Sequence, residues 1–148
     1  MTLQERLTAD LKQALKTGDT TRRSVIRLIR AGIKNAEIAK NAPLDDAGVM
    51  EVLAKQVKQH RESIAEFAKG HRQDLVAKEE AELAIVLEYL PKQMSREEIV
   101  AAARQVMEQV GARGPGDKGK VMSRLMPQLK GRADGREVSD VVSELLAG

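Results

Sequence analysis

Apolar residues recur every three or four positions along nearly the whole chain, and this spacing constrains the fold more than any other feature. Leu3, Leu7 and Leu11 begin the pattern, and Val138 and Val141 continue it near the C-terminus. Residues three or four apart share one face of an α-helix, whereas the faces of a β-strand alternate at every residue. No alternating run occurs in the sequence, which therefore predicts an all-α protein.

Capping residues and helix breakers divide this pattern into seven predicted helices. Thr2-x-x-Glu5 and Ser95-x-x-Glu98 are capping-box patterns, and Pro91 blocks continuation of a helix beyond Leu90. Four helices in residues 1–92 predict an N-terminal four-helix bundle-like domain, and residues 93–148 predict a small C-terminal three-helix domain. The predicted helices span Thr2 to Gly18, Thr21 to about Ala39, Asp46 to Gly70, Arg72 to Leu90, Ser95 to Gly111, Lys118 to Lys130, and Asp134 to the C-terminus.

Composition excludes several classes of protein. Hydrophobic residues make up 42% of the chain and charged residues 32%, and no run of 18 apolar residues suggests a membrane span. The N-terminus has no apolar signal sequence, so we expect a cytoplasmic protein without membrane contact. No cysteine is present and there are only two histidines, so we predict no disulfide, no metal site and no cofactor.

The segment from Gly114 to Arg136 carries the densest charge of one sign. It contains six of the chain's 25 Lys and Arg residues, and only Asp117 and Asp134 oppose them. On a helix following Asp117, Lys120 would project opposite the apolar residues. We interpret the segment as a phosphate-binding surface for nucleic acid, although a solvated basic helix face also fits the pattern. The candidate contacts are Lys118, Lys120, Arg124, Lys130, Arg132 and Arg136.

Two further features limit the kind of ligand that the segment from Gly114 to Arg136 would bind. No aromatic residue follows Tyr89, so nothing there can stack on unpaired bases, and the backbone of a folded RNA is the better match. The spacing Gly114-x-x-x-x-Gly119-Lys120 matches part of a P-loop. Val121 replaces the required Ser or Thr, however, and no strand precedes the motif. We therefore reject nucleotide binding by a P-loop.

The second predicted helix carries a basic stripe opposite an apolar side that includes Val25, Leu28 and Ile29. This stripe supports an alternative function, a protein-interaction module that docks an acidic partner, and its simplest explanation is again a solvated face. The stripe consists of Arg23, Arg27, Arg30 and Lys34.

His60 and Glu79 are polar residues within the apolar faces of the third and fourth predicted helices. We interpret them as a hydrogen-bonded pair in or at the rim of the bundle, since buried polar groups need partners whether or not they react. The sequence contains no Glu-x-x-His, the motif that supplies ligands in di-iron bundles. No catalytic residue is predicted.

The chain resembles the YqeY family, the stand-alone relatives of the tail domain of the B subunit of glutamyl/aspartyl-tRNA amidotransferase. The resemblance covers essentially the whole chain. Its most specific motifs are Glu88-Tyr-Leu-Pro-Lys-Gln93 and residues 119–135, and it also rests on residues 27–38, 62–67 and 72–79. His60 departs from the family pattern, where a long basic side chain is usual at this position.

The resemblance implies a helical bundle joined to a small helical domain, and a role as an accessory protein related to tRNA-dependent amidotransferase. By resemblance, the tRNA backbone would be contacted by Lys120, Arg124, Lys130 and Arg132, and the partner would be tRNA or a tRNA-handling enzyme. Homology alone also suggests a third function, a carbon–nitrogen ligase with glutamine as amide donor. No residues that together supply a nucleophile, a base and an oxyanion site are found, so we do not predict an enzyme acting by itself.

Overall fold

The computed structural model describes residues 1–148 and contains helices but no strand, which confirms the all-α prediction. None of the helices combines the length and the apolar composition that a membrane span requires. The helices are α1 (Leu3–Thr17), α2 (Thr20–Lys40), α3 (Asp46–Lys69), α4 (Gln73–Leu87), α5 (Arg96–Val110), a short 3-10 turn (Pro115–Asp117), α6 (Lys118–Leu129) and α7 (Gly135–Ala147).

The chain forms two compact units, Met1–Pro91 and Lys92–Gly148. The first contains α1 to α4, and the second contains α5, the 3-10 turn, α6 and α7. Independent folding of residues 1–92 and 93–148 as two domains stays a prediction, because a compact segment need not be stable alone.

Aliphatic side chains from α1 to α4 form the core of the N-terminal unit. On α2, Val25, Ile29 and Ile33 are at most 3% exposed. Leu28 was expected on the same face but is 55% exposed. One residue along a helix turns the side chain by about 100°, which carries Leu28 past the edge of the buried stripe centred on Ile29.

The C-terminal unit has a separate core made almost entirely of valine and leucine. Val121 and Leu125 of α6 and Val138 of α7 are fully buried. They pack with α5 through its own apolar face, so the three helices surround one core. Its remaining buried members are Ile99, Ala103, Val106, Leu129, Val141, Val142 and Leu146.

The ends of the helices follow capping chemistry. Ser95 and Glu98 form the predicted capping box: the Glu98 N–H donates to Ser95 Oγ at 3.2 Å and the Ser95 N–H to Glu98 Oε1 at 3.1 Å. After α3 the left-handed residue is His71, with φ 58°, instead of Gly70, with φ −82°. The left-handed residue that ends α3 therefore lies one position later than the predicted glycine cap.

Tyr89 connects the chain segment after α4 to α1. Its ring is 3% exposed, its hydroxyl donates to Asp10 Oδ2 at 2.5 Å, and the guanidinium of Arg6 lies 4.6 Å from the ring centre. Burial, together with the bond to Asp10, raises the pKa of the Tyr89 hydroxyl well above its usual value of 10.0. The phenol therefore stays protonated in the folded protein at alkaline pH.

We expect Tyr89→Phe to lower the free energy of unfolding by about 1.5–3 kcal/mol near pH 8, because it removes a hydrogen bond to a carboxylate but keeps the ring over Arg6. Above pH 10 the phenol ionises in the unfolded wild-type chain and not in the folded one, so the wild type loses stability that the variant does not. The difference between them should shrink by about 0.8 kcal/mol at pH 10.5. Urea unfolding of both proteins at pH 8 and pH 10.5 measures this difference in stability. A difference that does not change with pH would contradict the raised pKa of Tyr89.

Candidate phosphate-binding surface

Helix α6 separates apolar and basic side chains onto opposite sides. Val121 and Leu125 are fully buried, whereas Lys120 and Arg124 are exposed. Lys120 and Arg124 are four residues apart and lie in one line along the outer side of the helix. Pro127 is also exposed, as is Ser123, the residue whose carbonyl the proline ring leaves without an N–H partner.

The start of α6 differs from the sequence-based prediction. Asp117 does not cap the helix; its carboxylate instead accepts the backbone N–H of Arg113 at 2.9 Å, across the 3-10 turn. This hydrogen bond, with a smaller contribution from the positive charge of Lys120, lowers the pKa of Asp117. Asp117 thus stays ionised beside Lys120 and weakens the positive field at the start of the helix.

Lys118 is half-buried, in contrast to Lys120. At about 100° per residue, Lys118 falls on the same side of α6 as Leu125 and Leu129. Only its position in the first turn, at the rim of the core, leaves the ammonium group access to water. Lys118 is therefore the least suitable of the six candidates for contact with a large polyanion.

The turn between α6 and α7 is held against the segment that precedes α5. Gly131 has φ 78°, a left-handed conformation that glycine adopts without strain. The Gly131 carbonyl accepts the Gln93 side-chain amide at 2.8 Å, and the Arg132 carbonyl accepts the Met94 N–H at 2.8 Å. These bonds fix the backbone on both sides of Arg132, whose side chain is half-buried.

Lys92 is a basic residue next to this turn that the sequence analysis missed. The Arg132 guanidinium donates a long hydrogen bond, 3.5 Å, to the Lys92 carbonyl. The pKa of Glu98 is lowered chiefly by its bond to the Ser95 N–H, and also by the charges of Lys92 and Arg132. Lys92 follows Pro91 in one of the family motifs, but its proximity to Arg132 depends on contacts between segments about 40 residues apart.

The remaining candidates are Lys130, exposed directly after the last residue of α6, and Arg136, exposed in the first turn of α7. Asp134 caps this helix by accepting the Arg136 N–H at 3.3 Å. The Asp134 carboxylate therefore lies near Arg136 and reduces the local positive charge, as Asp117 does near Lys120.

The basic stripe of α2 belongs to the N-terminal unit. Arg27, Arg30 and Lys34 are exposed, but Arg23 is half-buried and its Nε is buried without a hydrogen-bond partner. Arg30 and Lys34 line a cavity of about 460 Å³ together with residues of α1. The four side chains are thus not equivalent, and three of them are available to an external partner.

His60 and Glu79 form the predicted hydrogen-bonded pair, with 2.6 Å between His60 Nδ1 and Glu79 Oε2. His60 is 8% exposed and the Glu79 side chain 20%, so the pair extends from the interior of the bundle to its rim. A P-loop context is absent, because no strand precedes Gly114 in this all-helical chain.

Comparison with known proteins shows similarity along almost the whole chain. A family model described as "Yqey-like protein" matches residues 4–146. A protein of Pyrenophora tritici-repentis is 34% identical over 147 residues, which is 95% of this chain and 79% of that protein. A protein of Kluyveromyces lactis is 42% identical over 105 residues, 68% of this chain and 56% of its own length. One of Lachancea thermotolerans is 41% identical over 85 residues, 57% of this chain and 46% of its own.

All three relatives are named "Altered inheritance of mitochondria protein 41, mitochondrial". These names contradict the cytoplasmic location expected from the sequence, and that prediction is wrong. It relied on the lack of an apolar signal sequence, which is required for secretion but not for mitochondrial import. The chain also spans only about half the length of the second and third relatives.

We expect Gly131→Ala to destabilise the C-terminal unit by about 1–2 kcal/mol, because a Cβ strains a residue in the left-handed region. Gly119→Ala is the matched control: Gly119 lies in the first turn of α6, and a Cβ there meets no atom within 4 Å. It should leave the stability unchanged or raise it by up to about 0.5 kcal/mol. Urea unfolding measures both, and equal effects of the two substitutions would contradict the described turn.

Proposed function

The chain belongs to the YqeY-like family, and on this premise we propose that its C-terminal unit binds the sugar-phosphate backbone of a folded RNA. The binding surface consists of the outer side of α6, the turn that follows it and the start of α7. The resemblance to the amidotransferase tail favours tRNA, alone or held by a tRNA-handling enzyme. The proposal assigns no catalytic step to the chain.

The observation that carries the proposal is a set of exposed cations without ion pairs. Lys120, Arg124 and Arg136 form no salt bridge, whereas Arg22 and Arg96 each bind a glutamate. A phosphate can approach an unpaired cation without displacing a protein carboxylate. Neutralising phosphates in this way releases condensed counterions, which supplies most of the affinity of sequence-independent binding.

The absence of aromatic residues from the C-terminal unit supports backbone recognition over base recognition. Phe67 and Tyr89 both belong to the N-terminal unit, and Tyr89 is buried. Proteins that bind single-stranded RNA use exposed aromatic rings to stack on unpaired bases, whereas folded RNA is bound largely through its shape, its phosphates and its 2′-hydroxyl groups. Lysine and arginine side chains along a rigid helix suit the binding of folded RNA.

We expect binding to folded tRNA to weaken steeply with salt, which fluorescence anisotropy with labelled tRNA can measure between about 50 and 200 mM KCl. If about four phosphates are neutralised, a plot of log affinity against log salt has a slope of roughly −3 to −4. The triple variant Lys120→Ala, Arg124→Ala, Arg136→Ala should flatten this slope to about −1. Each lost phosphate contact removes about 0.9 from its magnitude.

The matched control is Arg27→Ala, Arg30→Ala, Lys34→Ala, which removes the same charge from exposed positions of α2. It should leave the slope within about one unit of the wild type. Equal losses in the two triple variants would show that only net charge matters. Salt-independent binding would likewise refute the proposed surface.

A second candidate function is favoured by the outer side of α2. Leu28 and Ile38 are 55% and 68% exposed, and they lie on the same helix as the basic stripe. Ile38 lies one turn beyond Lys34 on the same side of α2, and an exposed apolar side chain beside these cations suits an acidic, amphipathic partner segment. In this alternative, the protein is an interaction module and the partner docks on α2.

This alternative makes a separate prediction for capture experiments after RNase treatment. A protein partner should be retained by the wild type and by the α6 and α7 triple variant, and lost by the α2 triple variant, with mass spectrometry as the readout. Loss of every partner on RNase treatment would favour RNA binding and exclude α2 docking.

A further inference from the structure

Three potential metal-binding side chains meet inside the N-terminal unit, where α3 packs on α4. His60 comes from α3, and Glu79 and Glu82 come from α4. One ligand atom from each of the three lies within 4.8 Å of the others. Glu79 and Glu82 are three residues apart on a helix and therefore face the same way. The cluster is independent of the proposed RNA surface, because it belongs to the other unit.

No lysine or arginine side chain pairs with the two carboxylates of this cluster. The side chains of His60 and Glu79 are 9% and 20% exposed, and Glu82 is half-buried. One imidazole nitrogen and two carboxylate oxygens brought this close together offer three lone-pair donors to a single cation. The arrangement favours binding of a positive ion.

Gln56 provides a second, independent indication of a ligand. It lies one helical turn before His60 on α3, is 9% exposed, and lines the same cavity of about 290 Å³ as His60 and Glu79. Its Nε2 donates to the Leu28 carbonyl at 3.3 Å, but its Oε1 is buried without any hydrogen-bond partner. A buried amide oxygen without a partner is costly, and a metal ion or a metal-bound water would satisfy it.

We propose that His60, Glu79 and Glu82 form a binding site for a first-row divalent transition-metal ion. One imidazole nitrogen and two carboxylate oxygens are a donor set suited to Zn²⁺ and its neighbours in the series. The Gln56 amide oxygen, directly or through water, completes the coordination or orients it. The expectation of no metal site rested on the small number of histidines and on the lack of a Glu-x-x-His motif, and it did not include Glu82 beside the His60–Glu79 pair.

Metal binding requires a small rearrangement of the His60–Glu79 pair. Its Nδ1 and Oε2 atoms are 2.6 Å apart. Two ligands of one Zn²⁺ ion, each about 2.1 Å from the metal, stand roughly 3–3.4 Å from each other. The two side chains must therefore separate by roughly 0.4–0.8 Å, and their bonds to the metal replace the hydrogen bond between them. Glu79 can make this movement because it is partly exposed.

The test uses the full chain without an affinity tag, since a polyhistidine tag binds metal itself. After treatment with EDTA, calorimetry with Zn²⁺ should show one equivalent bound, and Co²⁺ should give a visible absorption band. Glu82→Gln should lower the affinity for Zn²⁺ at least tenfold and abolish the Co²⁺ band. This substitution leaves the His60–Glu79 hydrogen bond intact, so the variant should keep its fold, which circular dichroism verifies. His60→Asn should have the same effect on metal binding.

Two control variants separate this site from adventitious binding. Glu80→Gln removes the exposed glutamate between the two proposed ligands, and His71→Asn removes the other histidine while tolerating its left-handed conformation. Both should bind Zn²⁺ as the wild type does. The proposal is overturned if no Zn²⁺ binds at about 100 µM. It is equally overturned if binding persists in Glu82→Gln, or if either control loses it.

Discussion

Burial of a single aliphatic face on each helix is the constraint on which the rest of the structure depends. With only one Phe and one Tyr in the chain, both cores rely on valine, leucine, isoleucine and alanine. Such cores require several helices to turn their apolar faces toward one another. In α6, burial of Val121 and Leu125 necessarily directs Lys120 and Arg124 outward. The proposed phosphate surface is therefore a direct consequence of how the helix packs.

A few polar side chains are also buried in the N-terminal unit, because hydrogen bonds satisfy them there. Tyr89 binds Asp10 and His60 binds Glu79, so burial of each ring is offset by a hydrogen bond to a carboxylate. Gln56 satisfies only its amide nitrogen. The incomplete pairing of Gln56, in the wall of the cavity that His60 and Glu79 also line, distinguishes this region from an ordinary buried polar pair.

The basic residues of the protein divide into two groups with different physical roles. Arg22 and Arg96 are paired with carboxylates, and these exposed ion pairs contribute little to stability. Lys120 and Arg124 form no such ion pair, so a phosphate can reach them without displacing a carboxylate, although Asp117 reduces the positive field near Lys120. Composition records a formal net charge of only +3, which does not distinguish the two groups. The distinction depends on which carboxylates the fold brings near each cation.

The sequence by itself determined the all-α class, the approximate bounds of the helices, the outward direction of Lys120 and Arg124, and the family. These properties follow from the spacing of apolar residues, from capping residues and from short motifs. All three involve residues that are close together in the sequence. Only the tertiary structure decided that Leu28 is exposed, that Lys92 lies beside Arg132 and that Glu82 lies beside His60. Such contacts depend on the rotation and register of one helix against another, which are set by side-chain packing between segments distant in the chain.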